Sequence, residues 1–185
     1  DIRTHGGAGS ADSNALDLRK RVEKQFESRS SGGMCGIPVM NTLHPKPLPD
    51  GPCISTNDLK KIQHDLVEGQ LLGWRTRATH AAGIFQPQNG RMVVREDIGR
   101  HNALDKAVGF AAATGLDLSQ TCLMFSGRIS LEIVNKCARA RIGLIAAVSA
   151  ASAQAVVKAD SLNMTLIGRL RDENYVIYTH TLRII

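Results

Sequence analysis

Apolar residues recur along this chain with two periods, and the changes between them mark out its elements. Leu18, Val22 and Phe26 keep the spacing of one helical face, which predicts a helix from Asn14 to the serines at 28–31. Leu59, Ile62 and Leu66 form a second helical stripe. It opens on Ser55 and Asp58, a helix-start pattern, and is expected to run to about Leu72. The pattern then becomes that of strands. Residues 80–86 and 91–96 read as two strands about a turn at 87–90. Helices and strands alternate from there: an Ala-rich helix at 102–113, a buried strand at 121–125 and a helix at 130–140. A strand at 143–148, a helix at 152–162 and strands at 164–168 and 175–179 complete the series.

Such alternation predicts an α/β fold: three layers, with helices on both faces of a mixed, largely parallel sheet. Breakers divide the chain. Residues 1–13 are small and polar. Gly32-Gly33-Met34-Cys35-Gly36 cannot favour a regular element, because glycine loses the most backbone freedom on ordering. Pro45, Pro47, Pro49 and Pro52 make an extended connector. The expected organisation is therefore an arm over residues 1–53, with a helix and a cysteine loop, and an α/β domain over 54–185. The chain opens on Asp1 rather than Met, and a further upstream region is expected.

Composition adds little until charge and cysteine are considered. Aromatics make up 4% of the 185 residues, so Ala, Leu, Ile and Val must build the core. The net charge of +6 suits an anionic ligand or an acidic partner, and also suits mild basicity without a specific partner. Basic residues are scattered rather than blocked, which argues against nucleic acid. No membrane-length apolar run and no signal peptide are visible, so a reducing cytoplasmic setting is expected. The four cysteines, Cys35, Cys53, Cys122 and Cys137, form no C-x-x-C pair and no zinc spacing, and no metal site is expected. Cys122 and Cys137 sit in apolar patterns and read as small core residues. Cys35 differs. A sulfur carrier needs an exposed, mobile thiolate among small neighbours, and backbone N–H groups of a glycine loop can solvate that anion.

Three polar segments are hard to explain as core. Thr76-Arg77-Ala78-Thr79-His80 enters a strand, with His80 either a satisfied structural histidine or a ligand contact. Residues 95–106, REDIGRHNALDK, join a strand to a helix, where α/β folds bind ligands, and Gly99 would let an anion approach free N–H groups. Ser126-Gly127-Arg128-Ile129-Ser130 repeats that geometry with a guanidinium, and Ser149 ends the next strand. Together they suggest a pocket for a phosphorylated or nucleotide-bearing ligand on one sheet edge.

REDIGRHNALDKAVG followed by SGRIS resembles the FdhD/NarQ family, the formate dehydrogenase accessory sulfur carriers. The resemblance covers roughly residues 14–185. It implies a cytidine deaminase-like fold, although the deaminase zinc ligands are missing here. It implies that a cysteine desulfurase loads sulfur on a loop cysteine as a persulfide. The carrier then passes the sulfur to the molybdenum bis(molybdopterin guanine dinucleotide) cofactor of formate dehydrogenase. It also implies a homodimer and binding of a GDP-like guanine nucleotide. Carried onto this chain, the sulfur-bearing residue is Cys35. The expected cofactor contacts are Thr76, His80, Arg100, His101, Asn102, Ser126, Gly127, Arg128 and Ser149, with the stretch Arg169, Leu170, Arg171, Asp172, Glu173 and Asn174. His80 or His101 could steer protons. Two departures stand out. Gly32 occupies the first cysteine position of the family's C-G-x-C-G loop. Arg77-Ala78 replaces the two glycines of its T-G-G-x-H-x-A segment. A cofactor-binding chaperone without sulfur transfer is the alternative. A hydrolase on the deaminase-like fold is disfavoured by the absent metal ligands.

Overall fold

Ser55 starts a helix by closing a capping box. In the computed structural model, which describes residues 45–172 and 174–185, the Asp58 N–H donates to the Ser55 hydroxyl at 3.1 Å. The Ser55 N–H donates to the Asp58 carboxylate at 2.9 Å. Donors that the helix start would otherwise orphan are thus satisfied. This helix, α1 (Thr56–Glu68), buries Leu59, Ile62 and Leu66 as the stripe predicts. The stripe does not reach Leu72. A separate short helix, α2 (Leu71–Thr76), follows and buries none of its residues.

The remaining elements fall close to the predicted ones: β1 (His80–Gln86), β2 (Arg91–Asp97), α3 (Arg100–Ala113), β3 (Cys122–Phe125) and α4 (Leu131–Arg139), then β4 (Leu144–Ala147), α5 (Ala153–Ser161), β5 (Thr165–Arg171) and β6 (Asn174–Thr179). They build one six-stranded sheet in the order β2-β1-β3-β4-β5-β6. The sheet is mixed, but it is not largely parallel. Only the β3–β4 and β4–β5 pairs are parallel; β1–β2, β1–β3 and β5–β6 are antiparallel. Short hairpin turns force the outer pairs antiparallel, because only a long crossover can return a strand in the parallel sense.

Alternation along each strand produces the layers. Ala82, Ile84, Leu123, Phe125, Ile145, Ala147 and Leu166 share a cluster with residues of α3, α4 and α5. Ala81, Phe85, Cys122, Met124, Leu144, Ala146 and Ile167 share the other with α1. Neighbouring strand residues face opposite sides of the sheet. Ala103, Ala107 and Ala111 let α3 lie close against it.

The proline connector packs against this unit. The Leu48 N–H donates to the Leu162 carbonyl at 2.9 Å. Asp50 pairs with Arg183 at 3.0 Å, and Ile54 bridges to Ile184. The expected N-terminal helix, the glycine loop and Cys35 lie outside the described residues. Cys122 and Cys137 are buried, and burial pushes both thiols up; Cys53 is exposed.

Candidate functional site: a cationic cluster at the strand ends

The mixed sheet determines which residues meet. Because β1 runs antiparallel to β3, Ala82 pairs with Phe125, so the start of β1 lies beside the end of β3. His80 in turn pairs with Asp97 at the end of β2. Ser126 and Ser149 follow the parallel strands β3 and β4. The helices α3 and α4 start from this same edge, the carboxyl edge at which open α/β sheets hold ligands.

Ser126 links two of these strands. Its Oγ accepts the Ala81 N–H at 2.8 Å and lies 3.5 Å from His80 Nδ1. A hydroxyl keeps a second lone pair and one donor, so Ser126 can pair with either ring tautomer of His80. Burial lowers the His80 pKa, and the charges of Arg100 and Arg128 lower it further, so the ring is neutral at pH 7.

Arg100 and His101 open α3, and both carry buried polar atoms without partners: Arg100 Nε and His101 Nε2. His101 is 7% exposed. Burial and the charges of Arg100 and Lys136 lower its pKa, while Glu132 and Asp105 oppose them. Leaving such an atom unpaired costs about 1–3 kcal/mol. Arg100 Nε can only donate, so its missing partner is an acceptor. Gly127 makes room for this side chain: a Cβ there would lie 3.3 Å from Arg100 Cβ and 3.0 Å from the Phe125 ring. Gly99 and Ser130 precede α3 and α4 without any side-chain cap. Two helix N-termini thus bring free N–H groups to the edge that holds Arg100 and the exposed Arg128. Chemically, the cluster can receive an anion with several oxygens.

Other predicted contacts have architectural roles. Asp97 accepts the Gly99 N–H at 2.9 Å and the Asn102 amide at 3.3 Å, and pairs with Lys106 at 2.6 Å. Lys106 foremost pulls the Asp97 carboxyl down to about 2. The Asn102 amide therefore holds its own loop. Thr76 donates to the Leu72 carbonyl at 2.8 Å and accepts the Ala78 N–H at 3.2 Å, which closes α2 and occupies its hydroxyl. Glu96 accepts the N–H groups of Leu72 (2.8 Å) and Gly73 (2.7 Å) and the Thr79 hydroxyl (2.7 Å). It thereby fixes α2 beside the entry to β1.

The stretch from Arg169 to Asn174 is the β5–β6 hairpin, and it divides between two places. The Arg169 N–H donates to the Ser149 carbonyl at 3.1 Å, so the hairpin base belongs to the cluster. Leu170 is fully buried in the α1-side core, so its side chain is unavailable to a ligand. The tip leans over α1. There the Asp172 N–H donates to Gln63 at 2.9 Å, beside a groove of about 420 Å³ lined by Lys60, Gln63, His64 and Val67. Arg171 and Asn174 are exposed and pair across the hairpin; Glu173 lies outside the described residues. Sequence reasoning missed Lys136 and Glu132 beside His101, which lie some thirty residues away and carry no local signal. It also missed Gly168, where a Cβ would lie 2.9 Å from the Ser149 carbonyl oxygen. Among the described residues, no three His, Cys, Asp or Glu side chains gather as a metal would need. No helix among them is long and apolar enough to cross a membrane.

Comparison with known proteins supplies the context for this geometry. The sequence matches the FdhD/NarQ family over residues 2–185. It is similar to the sulfur carrier protein FdhD of Variovorax paradoxus, with 37% identity over 93% of this chain and 63% of that protein. It is also similar to the protein of that name from Brucella abortus, with 43% identity over 69% of this chain and 48% of that protein. A solved structure assigned as a formate dehydrogenase accessory protein, from Desulfotalea psychrophila, superposes with a TM-score of 0.69 at 29% identity. It covers 75% of this chain and 62% of that one. The chain spans less than two thirds of the length of each of these relatives. The motifs, the fold and the family match agree: this chain belongs to the FdhD/NarQ family.

Proposed function

We propose that this chain carries sulfur as a persulfide on Cys35 and delivers it to the molybdenum bis(molybdopterin guanine dinucleotide) cofactor of formate dehydrogenase. Its relatives bear the name sulfur carrier protein. The observation that carries the reading is the strand-end cluster, where a buried Arg100 Nε lacks an acceptor beside His80, His101 and Arg128. In loading, the Cys35 thiolate attacks the outer sulfur of a cysteine desulfurase persulfide. The donor's S–S bond breaks, the donor cysteine leaves as thiolate, and the new S–S bond forms on Cys35 without net oxidation.

The cofactor is the acceptor, and its pyrophosphate and guanine groups are what the cluster would hold. Arg100, Arg128 and the N–H groups that open α3 and α4 bind phosphate oxygens. The exposed Arg169, whose N–H donates to the Ser149 carbonyl at the hairpin base, is a further phosphate partner. While neutral, His80 offers one ring N–H donor and one ring nitrogen that can accept a proton. A GDP-like nucleotide uses the same contacts. The protein works as a homodimer in the reducing cytoplasm.

Incubation with desulfurase and [35S]cysteine, followed by peptide mapping, tests the reading. Label is expected on Cys35; label confined to other cysteines, or none, refutes sulfur carriage. Gly32 in the first loop-cysteine position favours a second reading, a chaperone that holds the cofactor without carrying sulfur. A Cys35→Ser variant that still activates formate dehydrogenase selects that reading.

A further inference from the structure

Helix α2 is unusual for what it leaves in water. None of its six residues is buried; Leu71 is 70%, Leu72 52% and Trp74 64% exposed. Trp74 Nε1 donates to the Val67 carbonyl at 3.2 Å, which joins the ring to Val67, itself 41% exposed, at the end of α1. Val67, Gln70, Gly73, Trp74 and Arg77 line a groove of about 310 Å³. A helix this short does not persist on propensity, and this one gains no burial. It is held from outside: the Glu96 carboxylate accepts two of its first N–H groups and ties it to Thr79. The fold thus uses a carboxylate to keep three large apolar side chains displayed. Contiguous apolar surface of this kind marks interaction sites.

The patch adjoins the strand-end cluster. Arg77, in the left-handed conformation at φ 51°, ends α2, and three residues later His80 begins β1. Ile98, 80% exposed, lies two residues beyond Glu96 and adds an apolar side chain at the entry to α3. A protein seated on α2 therefore sits at the edge of the cationic site.

Charge decides what kind of protein. Arg75 and Arg77 are exposed on the patch. Of the nearby acids, Glu96 is occupied by N–H and hydroxyl donors, Asp65 pairs with Lys61, and Glu68 is exposed at the end of α1. A second copy of this chain would dock the same patch on itself and set guanidinium against guanidinium. A partner with an apolar anchor flanked by carboxylates suits it instead. We infer that the exposed face of α2 is the docking surface for apo formate dehydrogenase, which takes the cofactor from the neighbouring site. This inference rests on the function proposed above.

Trp74 is the sole tryptophan of the chain, so 5-fluorotryptophan gives a single 19F resonance that reports the patch. In the free protein that resonance is expected to show a solvent-isotope shift, and apo formate dehydrogenase is expected to abolish the shift. Leu71→Ser/Trp74→Ser should weaken binding of apo formate dehydrogenase at least about tenfold, the loss expected of an anchoring aromatic. Arg75→Glu/Arg77→Glu should weaken it comparably and flatten its salt dependence. Both variants should melt like the wild type, bind GDP normally and take label on Cys35. Wild-type affinity in both variants, with GDP binding and labelling intact, overturns the docking surface and leaves the sulfur-carrier reading standing. Absence of label on wild-type Cys35 overturns that reading instead. A free-state resonance without isotope shift means that the chain's own residues cover the patch. A change in oligomeric state in the Trp74 variant assigns the patch to a second copy. Either outcome refutes the inference.

Discussion

Gly168 and Gly109 allow the strand-end packing to be tested with one added methyl group in two settings. At Gly168, in β5, a Cβ would lie 2.9 Å from the Ser149 carbonyl oxygen and 2.8 Å from the Tyr178 ring. The ring can rotate away. The carbonyl cannot, because it is backbone and accepts the Arg169 N–H at 3.1 Å. Relief must open β5 from the end of β4, where the hairpin base joins the cationic cluster. Overpacking of this kind costs about 1–3 kcal/mol. At roughly 2–4 °C per kcal/mol for a chain of this size, Gly168→Ala should lower Tm by about 2–12 °C. At Gly109, in the interior of α3, an added Cβ meets nothing within 4 Å. Alanine there should gain about 0.5–1 kcal/mol of helix propensity and raise Tm by roughly 1–4 °C. Circular-dichroism melts of both variants at matched concentration read the sign directly. GDP titration adds a functional readout: Gly168→Ala should weaken GDP by separating Ser149 from Arg169, and Gly109→Ala should not. A Gly168→Ala protein within about 1 °C of wild type, with unchanged GDP affinity, would show that this close approach does not exist.

Three further outcomes follow from the buried groups. Arg100→Met removes a guanidinium whose Nε is buried without a partner, so it should raise Tm in the absence of ligand while weakening GDP at least about tenfold; a lower Tm in scanning fluorimetry would count against the orphaned donor. The folded-state pKa values of His80 and His101 lie below their ordinary value, so the unfolded chain binds more protons on acidification. Stability should be full above about pH 6.5 and fall as pH drops below it, and GDP binding near pH 6 should take up protons, read by calorimetry in buffers of different ionisation enthalpy. Maleimide should modify Cys53 in the native protein and spare the buried Cys122 and Cys137 until denaturant is added, as mass spectrometry of digests can report.

Elements were legible wherever periodicity alone governs them. The stripe Leu59, Ile62, Leu66 and the alternating residues of β1 and β3 appear where the pattern places them. Strand direction was not legible, because a short apolar run reads alike in both senses and only the turns decide. The end of α1 was missed for a different reason. Glu96, more than twenty residues away, supplies the cap that starts α2, and no window over residues 55–72 contains it. In the site, residue type was legible and assignment was not. The polar composition of residues 95–106 marks a ligand edge, yet the same residues must also build the loop. Asp97, Asn102 and Lys106 form that internal network. What they leave over is Arg100 and His101, and only buried atoms without partners distinguish them from their neighbours.

That division of labour has a physical logic. A loop that must offer uncapped N–H groups to a ligand forgoes the usual side-chain caps, and Gly99 and Ser130 supply none. The turn before α3 is stabilised instead by Asp97, whose low pKa keeps it charged and bonded to Gly99 and Lys106 across the neutral range. An ionised carboxylate beside the site would repel an anion unless its charge were taken up, and Lys106 takes it up at 2.6 Å. The cations with unmet demand are thus Arg100 and Arg128, and their field adds to burial in lowering the His80 pKa. A ligand phosphate entering the cluster would cancel that field and raise the histidine pKa. Anion binding should therefore be accompanied by proton uptake at His80, and calorimetry near pH 6 that finds no such uptake would refute the coupling.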